Sequence, residues 1–462
     1  MDGWIANEIR GVDFGDARLN RRLGLVVEAL AASPASSIPE ACGSWKAAKG
    51  AYRFMDSERV TPEAIRTGSH AATLERIAGL AQVLVLQDTT NVDFTKHPAT
   101  EGVGPLDSPY RQGLKVHSSL AVSLDGVPLG LIAQHVWARN AEERGKAKDR
   151  RKRFTQDKES QRWLDAAMIS QEVVPPEVAV ITVADREADM YDLFVQARRP
   201  GSELLIRATH NRRVAHSEAQ YLWEAVGQAP ICGELVVDVG RRPDQPPRTA
   251  ALEVRFTEVV VQPPHNARQR SKLRPVTVRL VLVTEPNPPS GVAGIRWLLL
   301  TTLAIDSYDA AVQVVKWYSY RWLIERYHFT LKSGCRLEEL QLRTAPRLER
   351  ALAVMCLVAW RLMWLTYEAR RDPEQPCTVA LEPHEWEALW ARMHNTDDVP
   401  PEPPPLGQAV RWIAQLGGFQ GRKSDGQPGL KTLWRGWRRL HDSAVIWQIT
   451  HQDQFPPQQG YG

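Results

Sequence analysis

The chain has 462 residues, too many for one core and enough for about three domains of roughly 150 residues each. Its 43% hydrophobic and 24% charged content is that of an ordinary globular chain, which excludes wholesale disorder, collagen-like repeats and a membrane bundle. The net charge is only +4, yet the run 144–153 alone holds seven bases and one acid, a focused basic segment suited to a polyanion or to a solvated loop.

No apolar run reaches the roughly 20 residues of a membrane span, and Met1-Asp2-Gly3-Trp4 begins no signal peptide, so a cytoplasmic location is expected. The five cysteines are odd in number and no two are closer than 21 positions, which indicates neither a disulfide framework nor a CxxC zinc site.

The first 70 residues read as helices. Asp16 is placed to cap a helix whose apolar residues Leu19, Leu23, Val26, Val27 and Leu30 recur at three- and four-residue spacing. Arg18, Arg21 and Arg22 crowd its first turns, where cations oppose the helix dipole, and this hints at another use for them. A second helical stretch, 44–54, interleaves Lys46, Lys49 and Arg53 with aromatic residues, and Pro62 after Thr61 opens a third. Small basic helical modules suit DNA, although basic surface helices are common.

From about residue 80 the pattern turns to strands. A short apolar run, 83–86, ends at Gln87-Asp88-Thr89-Thr90, and 115–124 and 127–137 form a hairpin around Asp125-Gly126. An amphipathic helix over 160–173 precedes a buried-type strand, 178–184, that ends at Asp185-Arg186-Glu187-Ala188-Asp189. This is a mixed α/β pattern. Between about 204 and 303 the sequence predicts an all-β insertion with strands over 234–240, 250–261, 276–283 and 297–302. A long helix over 309–333 and an apolar one over about 348–368 follow. The last 90 residues show two helical patches around the proline-rich stretch 399–405.

Asp88 and Asp185 each end an apolar strand, the edge of an α/β sheet at which functional side chains converge. A third acid on the long helix would complete a set able to hold hard divalent cations. Tyr318, Arg321, Glu325 and Lys332 fall on one stripe of a straight helix at about 100° per residue. Arg321 and Glu325 alone would be an ordinary i,i+4 ion pair, but that leaves Tyr318 and Lys332 unexplained.

Tyr318-x2-Arg321-x3-Glu325-x6-Lys332 resembles the YREK signature of the insertion-sequence-four family of DDE transposases, in particular its transposon-five branch of cut-and-paste, hairpin-forming enzymes. The likeness extends through Gln87-Asp88-Thr89-Thr90, Asp185-Arg186-Glu187-Ala188-Asp189, Gly50-Ala51-Tyr52-Arg53-Phe54 and Arg296-Trp297-Leu298-Leu299-Leu300. Late in the chain, Leu416-Gly417-Gly418-Phe419 and Leu433-Trp434-Arg435-Gly436-Trp437 also look like the family.

The resemblance implies an α/β chain with an RNase-H-like catalytic domain over 71–370, interrupted by the β insertion. A helical end-binding domain over 1–70 would precede it, and a mainly helical dimerisation domain over 371–462 would follow. It assigns Asp88, Asp185 and Glu325 to two Mg²⁺ or Mn²⁺ ions per active site. Tyr318, Arg321 and Lys332 would hold phosphates near the cut, and Arg207, Arg212 and Arg213 would track the transferred strand. Trp297 would stack a flipped base, although an aromatic in a strand is as readily core. Arg18, Arg21, Arg22 and Arg53 would contact the transposon end. The implied partners are double-stranded DNA, as terminal inverted repeats and target, and a second copy of the chain; no membrane is implied. The rival readings are a catalytically silent, transposase-derived DNA-binding protein or inhibitor and a general metal-dependent nuclease.

Overall fold

A computed structural model describes residues 3–108, 110–143, 154–240, 246–265, 273–422 and 425–451. The basic segment 144–153 lies outside the described residues.

Five helices come first: α1 (Trp4–Ile9), α2 (Ala17–Ala32), α3 (Ile38–Cys42), α4 (Trp45–Asp56) and α5 (Pro62–Ile77). Local chemistry starts most of them. The Asp16, Ser37, Ser44 and Thr61 side chains accept backbone N–H groups at the starts of α2 to α5, each satisfying a donor that the helix cannot. Leu23, Val26, Val27 and Leu30 of α2 are buried, as their spacing predicts. Gly50 of α4 permits a close approach. A Cβ there would lie 2.4 Å from Nη1 of Arg22, so the bare backbone lets the α2 guanidinium cross α4.

A single sheet of eleven strands follows. Its strands are β1 (Gln82–Asp93), β2 (Gly104–Pro105), β3 (Gln112–Val122), β4 (Pro128–Trp137), β5 (Ala179–Ala184), β6 (Ser202–Arg207), β7 (Val214–Ala215), β8 (Gly233–Val239), β9 (Arg248–Val261), β10 (Val276–Thr284) and β11 (Arg296–Thr301). The order is β2-β3-β1-β5-β6-β11-β10-β9-β7, with β4 beside β3 and β8 beside β9. β1, β3 and β4 run as an antiparallel meander, whereas β5 and β6 join in parallel after crossovers through α6 (Gln161–Val173) and α7 (Tyr191–Val195).

The insertion differs from expectation in two ways. At its start lies a strand that was not expected, β6, which pairs parallel with β5 and so belongs to the central sheet, and β11 to β7 extend that sheet from β6 instead of forming a separate unit. It is also not all β, because α8 (Leu222–Gln228) lies within it and buries Leu222, Ala225 and Val226. A strand edge left bare at β6 would invite pairing, and β11 covers it.

The long helix is also broken. α9 (Tyr308–Ser319) ends in a tighter turn, where the N–H of Arg321 bonds the carbonyl of Tyr318 at 3.0 Å and that of Leu323 bonds Tyr320 at 2.8 Å. α10 (Trp322–Phe329) then runs into a π turn over Thr330–Gly334. Neither turn keeps the α-helical 100° step, so phase read along a straight helix does not carry to Lys332. α11 (Ala345–Arg371) is almost wholly buried. Among the described residues three helices follow α11 instead of two: α12 (Pro383–His394), α13 (Leu406–Leu416) and α14 (Leu430–Thr450). No described helix is long and apolar enough to cross a membrane.

Candidate active site

Alternation along the strands lays out the site. Leu84 and Leu86 of β1, Ile181 and Val183 of β5, Leu205 of β6 and Leu299 of β11 all face one core, shared with α9, α10 and α11. Side chains two residues apart share a face, so Asp88, Asp185, Arg207 and Trp297 continue these rows on the same side. Register then brings them together. Gln87 pairs with Ala184 and Ala184 with Ile206, which sets Asp88, Asp185 and Arg207 next along three neighbouring strands; Arg207 pairs with Leu299.

Asp88 is not at a strand end, as the apolar run suggested. β1 continues five residues beyond it, to Asp93, paired to β3. Only its pairing to β5 stops at Gln87, so Asp88 lies where the parallel ladder opens. Asp185 follows β5 and caps a short turn, accepting the N–H of Glu187 at 2.8 Å. Burial pushes the Asp185 carboxyl above its usual range and the charge of Asp88 adds to this, against Arg321 and Arg162.

Glu325 of α10 accepts from Nη2 of Arg321 at 2.5 Å. Burial acts against the Arg321 charge, but Tyr318, Glu325 and Asp88 together hold the guanidinium above its ordinary value. Arg321 is thus a counter-ion to all three carboxylates. Tyr318 is 3% exposed and stands edge-on to Trp297, with ring centroids 5.3 Å apart. Its buried hydroxyl makes no hydrogen bond of good geometry, although the Arg207 and Arg321 guanidinium groups stand close enough to act on it. Burial raises its pKa, and the charges of Arg321 and Arg207 oppose that rise.

Among the described residues no three His, Cys, Asp or Glu side chains are gathered closely enough to hold a metal ion. The donor chemistry nonetheless fits a hard divalent cation. Two aspartates share one sheet face, where the charge of Asp88 disfavours that of Asp185, and Glu325 on α10 is held by Arg321.

The remaining expected residues divide. Arg207 donates to the carbonyl of Arg296 at 3.3 Å and lies 5.9 Å from the Trp297 ring centroid, so it lies among the candidate residues. Lys332 leaves the stripe: its Nζ donates to the Asn91 carbonyl at 3.1 Å, further along β1. Arg212 is taken up by the buried Asp189, which also accepts the N–H groups of Thr209 and His210 at 2.6 and 2.8 Å; Arg213 is exposed. In the N-terminal helices Arg18, Arg21 and Arg53 are exposed, and Arg22 is half-buried over Gly50.

Three residues went unassigned in the sequence. His328, three residues after Glu325, places Nδ1 3.7 Å from Oδ2 of Asp88, with Nε2 3.3 Å from Oγ of Ser118. Arg162 of α6 donates to Oγ1 of Thr89 and to Glu187, each at 2.9 Å. Burial raises the Glu187 pKa, and Asp185 and Asp88 add to the rise. The i,i+3 spacing of Glu325 and His328 was a usable signal, whereas Arg162 becomes relevant only through crossover packing.

Three family models match the chain. One described as transposase DNA-binding covers residues 1–60, one described as transposase DDE domain covers 134–361, and one described as transposase Tn5 dimerisation domain covers 357–448. The first spans α1 to α4, the second holds Asp185 and Glu325 but begins after Asp88, and the third takes in the end of α11 and most of α12 to α14.

Proposed function

The chain belongs to the insertion-sequence-four family of DDE transposases, and on that footing we propose that it performs cut-and-paste transposition at the ends of its element. The proposed sequence is a nick, attack of the freed 3′-hydroxyl on the opposite strand to give a hairpin, hydrolysis of the hairpin, and joining to target DNA. Each step is an in-line displacement at phosphorus, so one site serves all of them.

The observation that carries this reading is the alignment of Asp88, Asp185 and Arg207 along one sheet face beneath the Arg321–Glu325 pair. Asp88, Asp185 and Glu325 would hold Mg²⁺ or Mn²⁺. Bound there, such cations activate a water or 3′-hydroxyl and neutralise charge on the leaving oxygen. The protein's own groups do the rest. Arg321 keeps the carboxylates compensated until substrate arrives and offers a planar fork for a phosphate. The Tyr318 hydroxyl, near both Arg321 and Arg207, is a donor for a phosphate oxygen, and Arg207 is a further cation on the same face. Trp297, beside Tyr318 and Arg207, supplies a ring face for an unstacked base. Lys332 and Arg213 are placed for phosphates farther along the strand, whereas Arg212 is reserved for Asp189.

DNA is bound first through α1 to α4, where Arg18, Arg21 and Arg53 are exposed, and two copies pair through α12 to α14. The test is Mg²⁺-dependent cleavage of duplexes carrying the element's terminal repeat. Asp88→Ala, Asp185→Ala and Glu325→Ala are each expected to abolish cleavage while gel shifts of the same duplex stay near wild type. Full cleavage by any one of them removes that residue from the site. A chain that shifts the repeat but never cuts it is a binding protein only.

A further inference from the structure

The parallel pairing of β1 with β5 ends at Gln87 and Ala184, one residue short of Asp88 and Asp185. The ladder therefore does not space the two aspartates. Asp88 is held by β3 on its other side, at Ser118, whereas Asp185 lies at the turn that follows β5.

One side chain crosses this opening. Arg162 of α6 donates from Nε to Oγ1 of Thr89 and from Nη2 to Oε2 of Glu187, each at 2.9 Å, and from Nη1 to the Glu159 carbonyl at 2.7 Å. All three guanidinium nitrogens are engaged within the protein, and the side chain is 11% exposed. Thr89 is the neighbour of Asp88, and Glu187 gives its own N–H to Asp185 at 2.8 Å. A planar fork thus joins the neighbour of one aspartate to the hydrogen-bond partner of the other.

Successive strand residues face opposite sides, so the Thr89 side chain points away from that of Asp88. Arg162 works from behind the sheet. Arg321, by contrast, pairs with Glu325 on the side of the candidate acids. Burial lowers the Arg162 pKa, and the charges of Glu187, Glu159 and Asp88 oppose that shift. Spacing matters for the proposed cation because Mg²⁺ demands near-ideal octahedral geometry at about 2.0–2.1 Å, which carboxylates of variable separation meet poorly.

We propose that Arg162 is a positioning residue that sets the separation of Asp88 and Asp185 for a divalent cation, acting through Thr89 and Glu187 and touching neither the cation nor DNA. The proposal rests on those aspartates holding the cation.

The experiment measures Mn²⁺ uptake by the full-length protein from the loss of the free-ion electron paramagnetic resonance signal. The protein is bound to a duplex that ends at the terminal repeat, so that nothing remains to be cut. Arg162→Met is expected to raise the Mn²⁺ concentration for half-saturation about tenfold, as loss of a residue supporting metal ligands does, with gel-shift affinity within about threefold of wild type. Glu187 is largely exposed, so Glu187→Ala tests the same bridge without threatening the fold and should give the same shift. Glu187→Gln keeps an oxygen for Arg162 and should stay within about threefold of wild type. Unchanged half-saturation in both Arg162→Met and Glu187→Ala overturns the positioning role. Loss of Mn²⁺ uptake in Glu187→Gln makes Glu187 itself a ligand and overturns it too. Uptake that Asp88→Ala and Asp185→Ala leave at the wild-type level overturns the metal reading on which the proposal rests.

Discussion

Asp88, Asp185, Glu325, Tyr318 and Arg321 were legible as candidates because each has a chemical type that the proposed chemistry needs and a spacing that marks its element. Their states were not. That Arg321 pairs with Glu325 while its charge also acts on Asp88 and Asp185, and that the buried Tyr318 hydroxyl stands near two guanidinium groups, follows from packing between α9, α10 and the sheet. Trp297 shows the difference most clearly. From sequence it is equally a core aromatic and a base-stacking ring, whereas in the structure it stands edge-on to Tyr318 with Arg207 nearby, the surroundings that the proposed base-stacking role needs. Trp297→Ala is therefore expected to slow hairpin formation about tenfold more than the first nick, since stacking on an aromatic contributes about 1–3 kcal/mol. Single-turnover assays that separate nicked, hairpin and double-strand-break products check this. Equal slowing of both steps would return Trp297 to a purely structural role.

At the level of elements, the helix starts and the strands of the insertion read correctly because capping residues and period-two alternation act locally. The errors lie where neighbours decide. β1 runs on past Asp88 because β3 pairs with it as far as Asp93, a partner that an apolar run of four residues does not announce. The helix that carries the YREK residues bends through a tight turn and a π turn, so Lys332 meets Asn91 instead of the stripe. α13 and α14 supply a further test. A Cβ on Gly436 would lie 1.6 Å from the Ile413 carbonyl oxygen, and one on Gly417 would lie 1.8 Å from that of Thr432. The helices cross through paired glycines. Gly436→Ala is expected to force them apart and destabilise this domain by about 1–3 kcal/mol, seen as a lower thermal midpoint, while Gly429→Ala, with open space around it, shifts the midpoint little.

Across the whole molecule the N-terminal helices are fastened to the catalytic sheet rather than tethered loosely. Arg76 of α5 holds Glu8 of α1 at 2.6 Å and the Leu129 carbonyl of β4 at 2.6 Å, so three segments far apart in sequence share one guanidinium. His70 lies on the same helix. Burial, aided by the Arg66 charge, lowers its pKa from 6.5 to about 4. A histidine depressed in the folded state stabilises the fold above the unfolded pKa and loses that contribution as pH falls toward the folded value, because the unfolded chain binds the proton first. The stability gap between wild type and His70→Gln is thus expected to shift against wild type as pH falls from about 7 to about 4, measured by urea midpoints; a constant gap would refute it.

The sequence by itself determined the class of protein and singled out Asp88, Asp185 and Glu325 as candidate acids, because composition, periodicity and motif spacing are local properties of the chain. Only the tertiary structure decided that the insertion extends one sheet, that Asp88 sits within a strand, and that His328, Arg162 and Glu187 lie beside the candidate acids. Those outcomes depend on strand register and crossover packing between distant segments, which no local pattern encodes.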